Sequence, residues 1–187
     1  MSLLVIHNIS LPPGEFGGTG IAELFTNRLD AAAHPYYATV AGANVSAHFL
    51  IRRDGELLQF VPCGSRAWHA GDSSWKGRAR CNDFSIGVEL EGSDDAPFTS
   101  AQYRRLAGLT RALTARYPIR DIVGHSDIAP GRKSDPGPHF DWLRYHALIR
   151  KRSPRRTLGK RRRKNTNRAA KQPGRRAMAK KHRRSGQ

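Results

Sequence analysis

Three side chains are of types that could bind a cation, and it is their types more than their spacing that suggest metal chemistry. His7 lies near the end of the short apolar run "SLLVIHNIS". His125 opens the stretch "GHSDIAPGRKSDPGPHFDW", and Asp135 stands in it between Ser134 and Pro136. Pro130, Pro136 and Pro138, with three glycines, impose backbone angles that other residues resist. A histidine and a carboxylate on so stiff a loop can meet at a cation with little further loss of chain entropy. Imidazole and carboxylate donors without a neighbouring cysteine suit zinc in a catalytic site, where three protein ligands leave a position open. The spacing is neither a zinc-finger nor an HExxH pattern. It therefore leaves rivals: His48 in a candidate strand, His69 in "RAWHAG" and His139 after Pro138, with Asp127 and Asp141 as alternative carboxylates. Asp127 also reads as a turn or orienting residue, and Asp141 as the start of a helix.

Two further residues fit hydrolysis. Glu89 stands between Val88 and Leu90 in "FSIGVELEG". A carboxylate inside such a strand is paired, exposed at an edge or kept for function, and beside a metal it can serve as general base and then proton donor. Glu91, on the same face, is its rival. Lys133, two residues before Asp135, is either a solvated loop charge or a group that stabilises an oxyanion.

The elements that must position these groups are legible in outline. "SLLVIHNIS" is a buried strand, "IAELFTNRL" a short helix, and "VSAHFLIRRDGELLQFVP" a hairpin turning at Asp54-Gly55. In "FSIGVELEG", Ile86, Val88 and Leu90 share one face, and Gly87, Glu89 and Glu91 the other. "TSAQYRRLAGLTRALTARYP" is a helix with a Thr99–Gln102 capping box, an apolar stripe at Tyr103, Leu106, Leu109 and Leu113, and Pro118 to end it. "IRDIVG" is a short strand and "FDWLRYHALI" a closing helix. The order predicts an α/β domain, a mixed central sheet flanked by helices, without internal repeats.

Charge divides the chain of 187 residues. The segment 150–187 holds 18 Lys and Arg and no Asp or Glu, whereas residues 1–149 balance 15 bases against 15 acids. The segment has no aromatic residue and almost no large aliphatic one, so it is expected to be a disordered basic tail. Its natural partners are anionic: nucleic acid or a lipid surface, met without sequence preference. Cys63 and Cys81 form no disulfide framework and are expected to be free thiols of a reducing compartment. No signal peptide or stretch of membrane-spanning length is evident, which predicts a cytoplasmic protein.

Taken together, "VIHNISLPPGEFGG", "VSAHFLIRRDGELLQFVP", "RAWHAG", "GRARCNDFSIGVELEG" and "GHSDIAPGRKSDPGPHFDW" resemble the AmpD family. These are zinc-dependent amidases of bacterial cell-wall recycling, with peptidoglycan-recognition proteins and phage amidases of the amidase_2 type as wider relatives. The resemblance runs from about Ser2 to about Ile149. It implies an amidase domain over 1–149 with the mixed sheet and flanking helices of that family, and one zinc ion in a surface groove. It selects His7, His125 and Asp135 as metal ligands, Glu89 and Lys133 as catalytic residues, and Asn8, Trp68 and Arg80 as substrate-binding residues. The wider family often has cysteine where this chain has Asp135, so the carboxylate favours the AmpD branch. The implied reaction is hydrolysis of the amide between the lactyl group of 1,6-anhydro-N-acetylmuramic acid and L-alanine; separately, the chain is expected to be a monomer. The alternatives are an amidase acting on intact peptidoglycan and a non-catalytic muropeptide binder with an anion-binding tail. The chain departs from the family at Asn44, where relatives often have arginine, at Met1, which falls almost on the first strand where relatives carry a leading segment, and in the tail.

Overall fold

The computed structural model describes residues 1–150; the expected disordered tail lies, beyond Arg150, outside the described residues. Strands β1 (Leu3–Ile9), β2 (Phe49–Ile51), β3 (Leu57–Gln59), β6 (Ser85–Glu91) and β7 (Asp121–Gly124) form one sheet in the order β3-β2-β6-β1-β7. β2, β6, β1 and β7 run parallel, and β3 returns antiparallel at the edge. A separate two-stranded ribbon joins β4 (Ser74–Trp75) to β5 (Arg78–Ala79). The mixed sheet read from the order of elements is therefore present, with β3 as its antiparallel member.

β6 is buried along its whole length, and β1 from Leu3 to His7. Strands covered on both faces read as nearly continuous apolar runs, as "LLVI" does. Leu4, Ile6, Ile86, Val88 and Leu90 point to one side, into a core shared with α3 (Ser100–Arg116) and α5 (Trp142–Arg150). Tyr103, Leu106 and Leu113 of α3 supply the facing stripe, and Leu109 packs at its margin. Thr99 caps α3 in the expected box with Gln102, and the helix ends at Tyr117, before Pro118. Inside this layer the hydroxyls of Thr110 and Tyr145 meet at 2.6 Å, satisfying two buried polar groups at once.

The opposite face is covered unevenly. At one end α1 (Gly20–Phe25) packs Ile21, Leu24 and Phe25 over Leu50. At the other, Ala70, Cys81, Phe84 and Ile128 cover Leu3, Val5 and Val123. The flanking helices on this side are short: besides α1, α2 (Tyr37–Val40) and α4 (His125–Ile128) are single turns. α2, α4 and the ribbon are too short for hydrophobic periodicity to reveal. The hairpin turn is where the sequence puts it: Gly55, at φ +89°, adopts the left-handed backbone that disfavours any side chain.

Candidate functional site

Parallel pairing assembles the site. β1 and β6 align with His7 opposite Glu89, and β1 and β7 with Ile6 opposite Gly124. His125, the next residue, starts α4 at the level of His7. The three side chains thus leave the sheet together at the carboxyl ends of adjacent parallel strands, the usual place for a site in an open α/β sheet. Asp135 is brought back by the loop, whose closure is held by Ser126 N–H donating to the Asp135 carbonyl at 2.9 Å. Asp127 is the turn residue its position suggested: its Oδ2 accepts from Gly124 N–H at 2.7 Å. Asp141 accepts from Arg144 N–H at the start of α5, and His139 is exposed.

His7 Nδ1, His125 Nδ1 and Asp135 Oδ2 converge. The two nitrogens are 3.1 Å apart and lie 2.9 and 3.0 Å from the carboxylate oxygen. His125 Nε2 faces the carbonyl of Ala70 at 3.0 Å, which accepts only, so the proton of a neutral ring sits on Nε2 and leaves Nδ1 bare. A bare nitrogen 3 Å from a carboxylate oxygen is unfavourable unless a cation lies between them. Donors bound tetrahedrally to zinc stand about 3.3 Å from one another, close to the spacing found here. The residues present fit a divalent metal, and His7, His125 and Asp135 form a candidate site for one.

Burial sets the electrostatics. It lowers the pKa of His7 below the ordinary histidine range against the pull of Asp135, and it lowers His48 and, further, His69. Neutral imidazoles are what metal ligation requires. Burial alone would raise Asp135, but a proton supplied by the facing His125 and His7 rings, in the place a cation would take, outweighs it and holds the carboxyl below the usual carboxylate range. Glu89 moves the other way. Burial, reinforced by the charge of Asp135 and partly offset by Lys133, pushes it well above that range. Its Oε1 is 4.0 Å from His7 Nδ1, and its buried Oε2 makes no hydrogen bond among the described residues. Glu91 differs: its oxygens accept from Gly17 N–H and Arg53 N–H, and Arg52 stands 3.5 Å away. It is committed to the fold.

Glu89, His7, His125, Asp135 and Lys133 line one cleft, together with Asn8 and Trp68. Of the three residues expected to bind substrate, Asn8 is braced, its Nδ2 donating to Asp94 Oδ1 at 2.7 Å and to the Pro136 carbonyl at 3.1 Å. Trp68 is 53% exposed at the rim, with the Arg66 guanidinium 4.0 Å above its ring. Arg80 is not among the cleft-lining residues; its side chain is 72% exposed and pairs with Asp83 at 2.9 Å. Asn44 lines an adjoining hollow with Trp68, Arg132 and Lys133.

Several neighbours were not singled out by their residue type. Arg132 donates to the carbonyls of Ala70 and Asp72, and the buried Asn82 accepts from the backbone N–H groups of His69 and Ala70. Ser85 is different, because it lies on the same strand face as Gly87, Glu89 and Glu91, and the two-residue period would have reached it.

The sequence and the fold both have counterparts among known proteins. The family profile described as N-acetylmuramoyl-L-alanine amidase, Amidase_2, matches residues 1–138. The 1,6-anhydro-N-acetylmuramyl-L-alanine amidase AmpD of Citrobacter freundii is 62% identical over 150 residues, covering 79% of this chain and 80% of that protein. A crystal structure of a selenomethionine derivative of AmpD superposes with a TM-score of 0.78 at 63% identity, covering 79% of this chain and 84% of the other. The amidase AmiD of Escherichia coli, in complex with its substrate anhydro-N-acetylmuramic acid-L-Ala-D-gamma-Glu-L-Lys, superposes with a TM-score of 0.58 at 33% identity, covering 79% of this chain and 57% of that one.

Proposed function

This chain belongs to the N-acetylmuramoyl-L-alanine amidase family, and from that premise we propose that it is a zinc amidase that releases the stem peptide from anhydro-muropeptides during cell-wall recycling. The bond cut is the amide between the lactyl carbonyl of 1,6-anhydro-N-acetylmuramic acid and the nitrogen of L-alanine. The single observation that carries the reading is the convergence of His7 Nδ1, His125 Nδ1 and Asp135 Oδ2 beside the unpartnered Oε2 of Glu89, all in one cleft.

His7, His125 and Asp135 would hold the zinc. When bound, zinc supplies a Lewis acid for the amide carbonyl and lowers the pKa of water. The chain's own groups then do the rest. Glu89 takes a proton from the attacking water at Oε2 as the new carbon–oxygen bond forms. It returns that proton to the alanine nitrogen as the carbon–nitrogen bond breaks, so a carboxylate and a free amine leave. Burial suits Glu89 to both tasks, because a carboxylate with a raised pKa is a stronger base and holds the proton until the amine departs. Lys133, on the wall of the cleft, brings a positive charge to the oxyanion that develops at the carbonyl. Asn8 braces the loop from below, and exposed Trp68 offers an aromatic face to the substrate.

The amidase domain spans residues 1–149 and works as a monomer in the cytoplasm. Cys63 and Cys81 are both free, which suits a reducing compartment. Among the described residues no helix is long and apolar enough to cross a membrane.

The test is release of free peptide from 1,6-anhydro-N-acetylmuramyl-tripeptide, followed by mass spectrometry with and without a chelator. Cleavage that the chelator stops and zinc restores is the expected outcome. Cleavage of intact peptidoglycan alone would move the substrate to the polymer, and binding without cleavage by folded, zinc-loaded protein would leave a muropeptide-binding role.

A further inference from the structure

The metal-binding reading accounts for one nitrogen of each histidine ligand and leaves open what holds the other. For His7 the answer runs through residues with no role in the proposed chemistry. His7 Nε2 is 2.9 Å from His69 Nδ1, His69 Nε2 is 3.3 Å from Ser85 Oγ, and Ser85 Oγ is 2.6 Å from the Cys81 carbonyl. We propose that His69 is the positioning residue of the metal centre, and that Ser85 and the Cys81 carbonyl fix it in the one tautomer that leaves His7 Nδ1 bare toward the cation.

The direction of the chain follows from its last member. A carbonyl accepts and never donates, so the Ser85 hydroxyl spends its single proton on Cys81. Toward His69 that hydroxyl can then only accept, which puts the His69 proton on Nε2. A neutral imidazole has one N–H, so His69 Nδ1 is an acceptor and takes the proton of His7 Nε2. His7 Nδ1 is left with its lone pair, facing His125 Nδ1 and Asp135 Oδ2. The tautomer of His7 is thus decided three groups away, at a backbone carbonyl beneath the sheet.

Two independent features serve the same end. Gly87 on β6 clears the space for the ring: a Cβ there would stand 2.5 Å from His69 Cγ, closer than two carbons can approach. The backbone carrying His69 is also pinned, because Asn82 Oδ1 accepts from His69 N–H at 3.1 Å and from Ala70 N–H at 2.9 Å. Ala70 in turn presents its carbonyl to His125 Nε2 at 3.0 Å. Two consecutive residues therefore orient both histidine ligands, one by its side chain and the other by its backbone. Partners of this kind set ring orientation and ligand basicity, and their loss weakens metal affinity about 10–100-fold.

The inference rests on the metal reading of His7, His125 and Asp135, so the experiment separates the two. Zinc affinity is measured by chelator competition for the wild type, His69→Ala, His69→Asn and Ser85→Ala. His69→Ala is expected to bind zinc about 10–100-fold more weakly. His69→Asn, which keeps an acceptor near the position of Nδ1, should recover much of that loss, and Ser85→Ala should fall between. Wild type that takes up no zinc would overturn the metal reading and this proposal with it. Folded His69→Ala with wild-type affinity would overturn the proposal alone, as would Asn no better than Ala. A measurement that needs no variant is the imidazole nitrogen spectrum of metal-free wild type. It should place the His69 proton on Nε2; a proton on Nδ1 would refute the chain of donors.

Discussion

At Glu89 the fold keeps a carboxylate where water would ordinarily be needed to solvate it. Burial and the nearby Asp135 charge raise its pKa, while Lys133 lowers it, and burial wins. Because the folded pKa lies above the unfolded one, the folded state takes up the proton more readily. The metal-free protein is then most stable, as far as this group goes, below the unfolded value of about 4.5, and loses that stability as pH rises through the folded value. Glu89→Gln carries no charge to bury. It should melt higher than wild type in the metal-free form at pH 7, with the difference closing as pH falls below about 4.5. The same substitution should retain zinc and lower kcat by about 10²–10⁴-fold. A metal-free variant that melts lower than wild type at pH 7 would show that the ionised carboxylate is better solvated than its burial indicates. Near-normal turnover would remove Glu89 from the base role. The sequence singled out Glu89 because an acidic residue interrupts an apolar strand. Separating it from Glu91 required the contacts, since one oxygen of Glu89 is unpartnered while Glu91 is bonded on both.

At the scale of elements, the site depends on register, and register depends on the helical layer behind the sheet. Leu106 of α3 is fully buried against the core that also holds Ile6 and Val88, the neighbours of His7 and Glu89 in their strands. Leu106→Ala should cost about 2–5 kcal/mol, from lost burial and the cavity left behind. A denaturant titration reads this as a lower midpoint with an unchanged slope. A cost below about 1 kcal/mol would mean that the layer closes around the gap. The long helix, with its capping box and closing proline, was plain in the sequence because seventeen residues give the apolar period several turns to repeat. The single-turn α4 was not, and it carries His125. Four residues hold too little periodicity to distinguish a helical turn from the loop that the prolines suggested.

For the whole molecule, charge and chemistry are separable along the chain. All of the excess positive charge lies in 150–187, and every residue placed in the cleft lies before it. Deleting 151–187 should leave amide hydrolysis within about twofold of the full chain and abolish affinity for nucleic acid or anionic vesicles that falls steeply with salt. A large loss of kcat/KM on deletion would instead tie the tail to the substrate. This division of charge is read from composition alone, and the scarcity of apolar side chains makes the segment an expected tail that lies outside the described residues. The nature of the strands, the long helix, the hairpin turn and the types of residue that could bind a metal were likewise written locally, because each depends on neighbours a few positions away. What could not be read locally was which histidines meet. His7 and His125 are 118 positions apart, and His69 joins them from 62 positions away. Their meeting depends on which strands pair and in what register, and that is settled by burial summed over the whole sheet. The same summation left Arg80 paired with Asp83 on the surface and brought Ser85, whose residue type drew no notice in the sequence, to within 3.3 Å of His69.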